Sequence, residues 1–185
     1  TGKITGYLSD ELQTTVEVRR VDFSFFDNLI LEGFYVADLR GDTLLFAQSL
    51  KAGLNSNVFT LLGNRLEFNE ISLTKARFNL RRAEGEYEHN LQFILDYFAG
   101  ETKPKSEPAP FHIRIQNLRL TDIQFVQEDW VRGQRMAGAI RSGNIRVNDL
   151  DFGSNVFDIQ SVQLEGPVFS IAEYPAKALT GRVGA

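Results

Sequence analysis

Four segments of this chain place apolar residues in the same uneven rhythm, with steps of two, three, two, three and two residues. In "LEFNEISLTKARF" the places are Leu66, Phe68, Ile71, Leu73, Ala76 and Phe78. "IRIQNLRLTDIQF" fills them with Ile113, Ile115, Leu118, Leu120, Ile123 and Phe125, and "FDIQSVQLEGPVF" with Phe157, Ile159, Val162, Leu164, Pro167 and Phe169. "SFFDNLILEGFYV" supplies Ser24, Phe26, Leu29, Leu31, Phe34 and Val36. Only Ser24 is polar among these places, while Asp27, Asn28, Glu32, Arg77, Arg119 and Gln124 fall between them. Each segment therefore has a wet side and a dry side.

Alternation with period two puts same-parity residues on one face of a β-strand, and an extra residue at a bulge restores that face after each three-residue step. The pair before the fifth place also suits a tight turn at Glu32-Gly33 and Glu165-Gly166, but less well at Thr74-Lys75 and Thr121-Asp122. Bulged or bent strands are the preferred reading. Between the copies, "DTLLFAQSLKAGL" and "SGNIRVNDLDF" are partly alternating and predict further strands.

One stretch follows another period. In "NLQFILDYFAG", Leu91, Ile94, Leu95 and Phe98 recur at helical spacing, with Asn90 suited to the N-cap and Gly100 to the stop, so an amphipathic helix is predicted near 90–99. "VFTLLG" admits a second, shorter one. "ETKPKSEPAP", with its prolines and no apolar period, predicts an exposed loop or linker over 101–110, dividing the chain into 1–100 and 111–185. Repeats that cannot bury their own dry side need neighbours, which is the logic of a solenoid, with a β-sandwich as the alternative. One helix cannot roof four copies. The dry side must face itself in a closed barrel or sandwich, meet another protein, or line a trough.

At 185 residues and 43% apolar content the chain can build a core, and its net charge of -4 provides no positive field for a phosphate backbone, so nucleic acid is not an expected partner. The absence of cysteine removes disulfides and thiolate metal sites. No run of about 20 apolar residues is present to span a bilayer as a helix. The chain opens without an initiator Met or a signal segment and stops in mid-pattern, which we read as a fragment of a longer protein.

Candidate chemistry is sparse. His89 and His112 have no acidic or nucleophilic residues at a spacing that would make either a catalytic base, and surface or structural roles are expected for both. Asp149 and Asp151 share one side of a strand but lack the further oxygen ligands of a hard-cation site. Gly41 in "LRGDTLL" is turn chemistry, and Trp130 is expected to cap the end of a strand core. No catalytic residue, metal ligand or cofactor is expected, and the chain is not read as an enzyme.

Three stretches taken in order, "VDFSFFDNLILEGFYVADLRGDTLLFAQSLKAGLN", "LLGNRLEFNEISLTKARFNLRR" and "NLQFILDYF", resemble the beginning of the TamB proteins of the AsmA-like superfamily, in the form found in Bacteroidetes-type bacteria. The resemblance covers roughly residues 15 to 100 and continues more loosely beyond. It implies a mainly β fold in which repeated, bulged antiparallel strands curl into an elongated, taco-like apolar groove. Residues 1–100 would form a first groove segment with the helix at its end, and 111–185 a continuing segment.

The resemblance further implies a periplasmic protein of a Gram-negative bacterium, anchored in the inner membrane by an N-terminal helix missing here. It would dock through a missing C-terminal part on an outer-membrane barrel-assembly-type protein, TamA or BamA-like. The implied activity is bridge-like transfer of phospholipid between the two membranes, in support of outer-membrane biogenesis. The groove-lining positions that carry over, to meet phospholipid acyl chains, are Phe26, Leu29, Leu31, Leu66, Phe68, Ile71, Leu73, Phe78, Ile113, Ile115, Leu118, Leu120, Phe125, Ile159, Val162, Leu164 and Phe169. The alternative is a structural or chaperone-like scaffold for outer-membrane β-barrel assembly or secretion, without lipid conduction. An interaction domain with a closed core is the third expectation.

Overall fold

The structure is a computed structural model, and it describes residues 5–6, 9–10, 12–24, 28–54, 65–99, 112–151 and 156–177. For 54, 65–67, 98–99, 112–114, 149–151 and 156–157 it describes the backbone alone. The expected helix in 58–63, the linker 101–110, Gly100 and Phe26 lie outside the described residues.

The chain is mainly β and forms one open sheet of β1 (Val16–Ser24), β2 (Asn28–Ala37), β3 (Thr43–Leu54), β4 (Arg65–Arg82), β5 (His112–Asp129), β6 (Gln134–Asp151), β7 (Val156–Glu165) and β8 (Val168–Glu173). Strands β1 to β7 are neighbours in chain order, and β8 also pairs with β6. β7 covers the Ser142–Asp151 half of β6 and β8 its Gln134–Ala139 half, so the fourth copy is one long strand interrupted at Gly166 and Pro167.

The ladders are antiparallel as expected, with one exception: β4 and β5 run parallel, Leu66 beside Ile113 through Arg82 beside Asp129. A parallel partner requires a crossover, and residues 83–111 provide it, including the helix α1 (Gln92–Ala99). The second and third copies thus lie side by side in register.

The uneven rhythm has two structural causes. At the second three-residue step the backbone turns left-handed in every copy: φ is 62° at Gly33, 49° at Lys75, 53° at Asp122 and 60° at Gly166. Register places these residues on one line across the sheet, with Arg19, Gln48 and Arg141 between them. No register is lost there. Thr74 still faces Ser49 and Ala76 still faces Ala47, so the strands bend together and none makes a hairpin turn.

At the first three-residue step, two of the copies show true bulges. Asn69 is an extra residue against the Gly53/Leu54 step of β3, and Gln160 against the Arg146/Val147 step of β6. Asn69, Lys75, Asp122 and Gln160 are all exposed. A strand with two successive residues on one face is longer on that face and curves away from it, so both devices curl the sheet toward its dry side.

Curling brings the dry residues together. Ala47, Leu73, Ala76, Leu120 and Ile123 are buried against one another, with Phe34, Leu50, Phe78, Leu118, Ile140 and Ile145 packed around them. A second cluster of Val16, Val36 and Leu44 is joined by Leu91, Phe93 and Ile94 at α1, and Phe34 belongs to both. The helix therefore lies on the dry face.

Asn90 does not cap α1 as expected. Its side-chain oxygen accepts the Arg81 N–H at 2.9 Å, and its amide donates to Asp38 Oδ2 at 3.0 Å and to the Asn79 carbonyl at 3.2 Å, so β4 and the β2–β3 turn have taken the groups a cap would use.

Left-handed backbone costs an ordinary side chain about 1 kcal/mol or more, partly offset by the greater chain entropy glycine loses on folding. Lys75→Gly is therefore expected to raise the urea midpoint, by about 0.5 kcal/mol in stability. Gly33→Val should lower it by about 2 kcal/mol, because the new Cβ would also lie 3.0 Å from Arg19 Cβ.

Candidate functional site

The dry face is built of rows that run from strand to strand. One carries Val21, Leu31, Leu50, Leu73, Leu120, Gly143 and Leu164 as successive partners from β1 to β7. The next carries Phe23, Leu29, Ala52, Ile71, Leu118, Ile145 and Val162. Across the bend line runs Val16, Val36, Leu45, Phe78, Phe125, Gly138 and Phe169, ending on β8. Phe68 pairs with Ile115, Leu66 with Ile113 and Ile159 with Val147 toward the far strand ends, although for Leu66 and Ile113 the backbone alone is described.

The sequence-derived lining residues thus fall on shared rows, apart from Phe26, which is outside the described residues. Missing from that set were Ala47, Leu50, Ala52, Ile140 and Ile145, which β3 and β6 add to the same face. Their alternation was visible, but only register shows which parity joins the dry side. No charged residue interrupts the three rows. At Gly143 an added Cβ would lie 3.1 Å from Leu164 Cδ2 and 3.2 Å from Ile140 Cδ1, so the absence of a side chain there lets the neighbouring rows close.

Exposure rises from the middle strands toward both edges. Leu73 and Leu120 are buried in the middle, whereas Phe23 is 57% exposed on β1 and Val162 is 53% and Phe169 61% exposed on β7 and β8. The two sheet edges differ. β1 carries Glu17, Arg19, Arg20 and Asp22, the charged blunting that discourages edge pairing, while β8 exposes Val168, Phe169 and Ile171.

The opposite face is polar. Arg119 Nη2 meets Glu70 Oε2 at 2.9 Å, Asn117 donates to the same oxygen at 3.1 Å, and Arg77 Nη2 donates to Gln124 Oε1 at 3.0 Å. These are exposed or half-buried links between strands and contribute little individually.

The end of the sheet that bears the β2–β3 and β5–β6 turns holds two buried carboxylates. Asp38 accepts the N–H groups of Arg40 and Asp42, each at 2.9 Å, and lies 3.3 Å from Arg81 Nη2. Asp129 accepts Arg82 Nε at 2.9 Å and the Arg132 N–H at 3.0 Å. Burial pushes both carboxyls up, but at Asp38 the Asn90 and backbone bonds with the Arg81 charge, and at Asp129 the Arg82 and Arg132 bonds, hold them below the usual 3.8. Gly41, with φ 86°, shapes the turn under Asp38.

Of the two histidines, His89 is half-buried with Nε2 3.1 Å from Gln127 Nε2, and the side chain of His112 is outside the described residues. Burial, followed by the nearby Arg82 charge, holds His89 below 6.5. Trp130 sits at the turn after β5, its ring 4.9 Å from that of Tyr174, with Lys177 Nζ 5.3 Å from its centroid. The side chains of Asp149 and Asp151 are not described. Among the described residues no group of three or more His, Cys, Asp or Glu is arranged to hold a metal ion, and no helix is long and apolar enough to cross a membrane.

No protein-family model matches this chain, and no curated protein matches it. The dry face is the feature that the fold itself singles out.

The polar end makes stability acid-sensitive in two stages. His89 resists protonation in the fold, so its contribution is present above 6.5 and is lost as pH falls through its lowered value. The two aspartates contribute fully above 3.8 and lose it as pH falls further. Urea unfolding across pH should show both stages, with the first absent in His89→Gln. Arg82→Met, which leaves Asp129 buried without its guanidinium, should lower stability at neutral pH by about 3 kcal/mol.

Proposed function

We propose that this chain is part of the periplasmic section of an inner-membrane-anchored protein of the TamB type, and that its dry face conducts phospholipid between the inner and outer membranes in support of outer-membrane biogenesis. The observation that carries this reading is the continuity of uncharged rows across a curled sheet that does not close on itself. A sealed barrel or sandwich core is not what the described residues form.

The energetics favour such a surface. Each methylene withdrawn from water is worth about 0.8 kcal/mol, so the roughly 30 methylenes of two acyl chains would cost on the order of 24 kcal/mol to carry bare through water. Leu, Ile, Val and Phe side chains offer hydrocarbon a surroundings like that of the bilayer it leaves and the bilayer it enters. The lipid then neither sticks nor is expelled. Headgroups remain at the open side, in water.

The exposed β7–β8 edge favours a second reading, a scaffold that receives strands of outer-membrane barrels by edge pairing, without lipid conduction. Backbone-level crosslinks to unfolded barrel strands at β8, with none to lipid on the dry face, would decide for it.

Protein extracted gently from membranes is expected to carry phospholipid detectable by mass spectrometry. Leu164→Glu is the informative variant, because Leu164 is 47% exposed and a charge there leaves the buried centre intact. Lipid recovery should fall several-fold while the urea transition stays in place. Equal lipid in variant and parent, or none in the parent, would count against conduction.

A further inference from the structure

Helix α1 covers only part of the dry face. Leu91, Phe93 and Ile94 pack against Val16 of β1, Val36 of β2 and Leu44 of β3, with Leu45 and Leu80 beside them. The row Val16, Val36, Leu45, Phe78 continues to Phe125 on β5 and through Gly138 to Phe169, and neither Phe125 nor Phe169 is among the residues that join this cluster. One row is therefore helix-roofed over its β1–β3 members, Val16, Val36 and Leu45, and unroofed at its β5–β8 end.

Two of the ways in which α1 is held differ in kind. At its start Asn90 makes four hydrogen bonds, its side chain to the Arg81 N–H, Asp38 and Asn79 and its own N–H to the Arg81 carbonyl at 2.8 Å, and the preceding His89 contacts Gln127 of β5. These are directional and tie the segment to β4, β5 and the β2–β3 turn. The contacts of Leu91, Phe93 and Ile94 with the sheet are apolar, and hydrocarbon of any origin can replace them at similar free energy. A helix of eight residues is marginal by itself in water, so α1 depends on having its apolar side covered.

We propose that α1 is a displaceable lid over the first four strands, occupying the space that acyl chains take when the groove is loaded, with Asn90 as its fixed point. This rests on the lipid reading of the dry face. It adds that the stretch of Val16, Val36 and Leu45 is closed in the unloaded protein, and that hydrocarbon reaches Leu45 only after the helix lifts. Because Asn90 ties to β4 and the β2–β3 turn through its side chain and its own N–H, ahead of the first residue of the helix, the lid swings without detaching.

Site-specific photocrosslinking separates the lid from the groove. p-Benzoylphenylalanine is placed at Leu45, under the lid, or at Phe125, beyond it, in the full chain, and the protein is offered vesicles containing dipalmitoyl phosphatidylethanolamine. In the parent, lipid adducts are expected at Phe125 and only weakly at Leu45. Ile94→Asp, which makes the helix face unfit for the dry side, should raise the Leu45 adduct several-fold and leave Phe125 unchanged.

Asn90→Ala, which keeps every apolar contact and the backbone bond to Arg81 and removes the three side-chain bonds, should shift Leu45 in the same direction to a smaller extent, and it decides the matter if Ile94→Asp fails to fold. Labelling of Leu45 as strong as that of Phe125 with α1 intact overturns the lid. So does a Leu45 that stays unlabelled in both variants while Phe125 is labelled, and in either case conduction stands. No adduct at either position overturns the lid and the lipid reading together.

Discussion

A β-strand can change direction and still keep one face dry only if the residue that breaks its alternation is placed on the other face. Everything else in this sheet depends on that placement. The left-handed residues Gly33, Lys75, Asp122 and Gly166 stand on one line, and the residues of β1, β3 and β6 that cross it keep their register. Because the bend is shared, the ladders survive it. Were it confined to one strand, the backbone groups beside it would lose their partners, which is expensive wherever water cannot replace them.

The shared bend also explains how a single layer buries side chains. Ala47 and Ala76 sit at the centre and are buried despite their size, because Phe34, Leu50 and Phe78 close around them once the sheet curls. Small residues at the middle of the curve and large ones beside it match the narrowing of a concave surface. The result grades from a packed centre to the open β7–β8 edge, and at the opposite edge the helix covers Val16 while Phe23 stays exposed. A closed core would show no such gradient.

Curling alone would leave the parallel joint between β4 and β5 to hold the two halves of the sheet. The adjacent residues Arg81 and Arg82 reinforce it. Neighbours in a strand point to opposite sides, and here one reaches Asp38 at the β2–β3 turn while the other reaches Asp129 at the end of β5. Two successive side chains at the end of one strand thereby fasten turns from both halves. The buried carboxylates are stable in ionised form because Asp38 also accepts two backbone N–H groups and Asp129 one, so their position is specified by geometry as well as by charge.

Faces and bends are legible in the chain before it folds. Alternation and its interruption are local properties of the strand backbone, so Leu31, Leu73, Leu120 and Leu164 were legible as equivalent residues, and the pairs Thr74-Lys75 and Thr121-Asp122 as bends. Adjacency, by contrast, is set in three dimensions. An apolar face is satisfied by any apolar neighbour, so nothing local specifies that β4 meets β5 in parallel, that Leu50 and Ile145 join the rows, or that Asn90 leaves the helix to bind Asp38. Those choices come from register between residues far apart in the chain, where the competing partners differ by packing and hydrogen-bond geometry that a one-dimensional pattern does not contain.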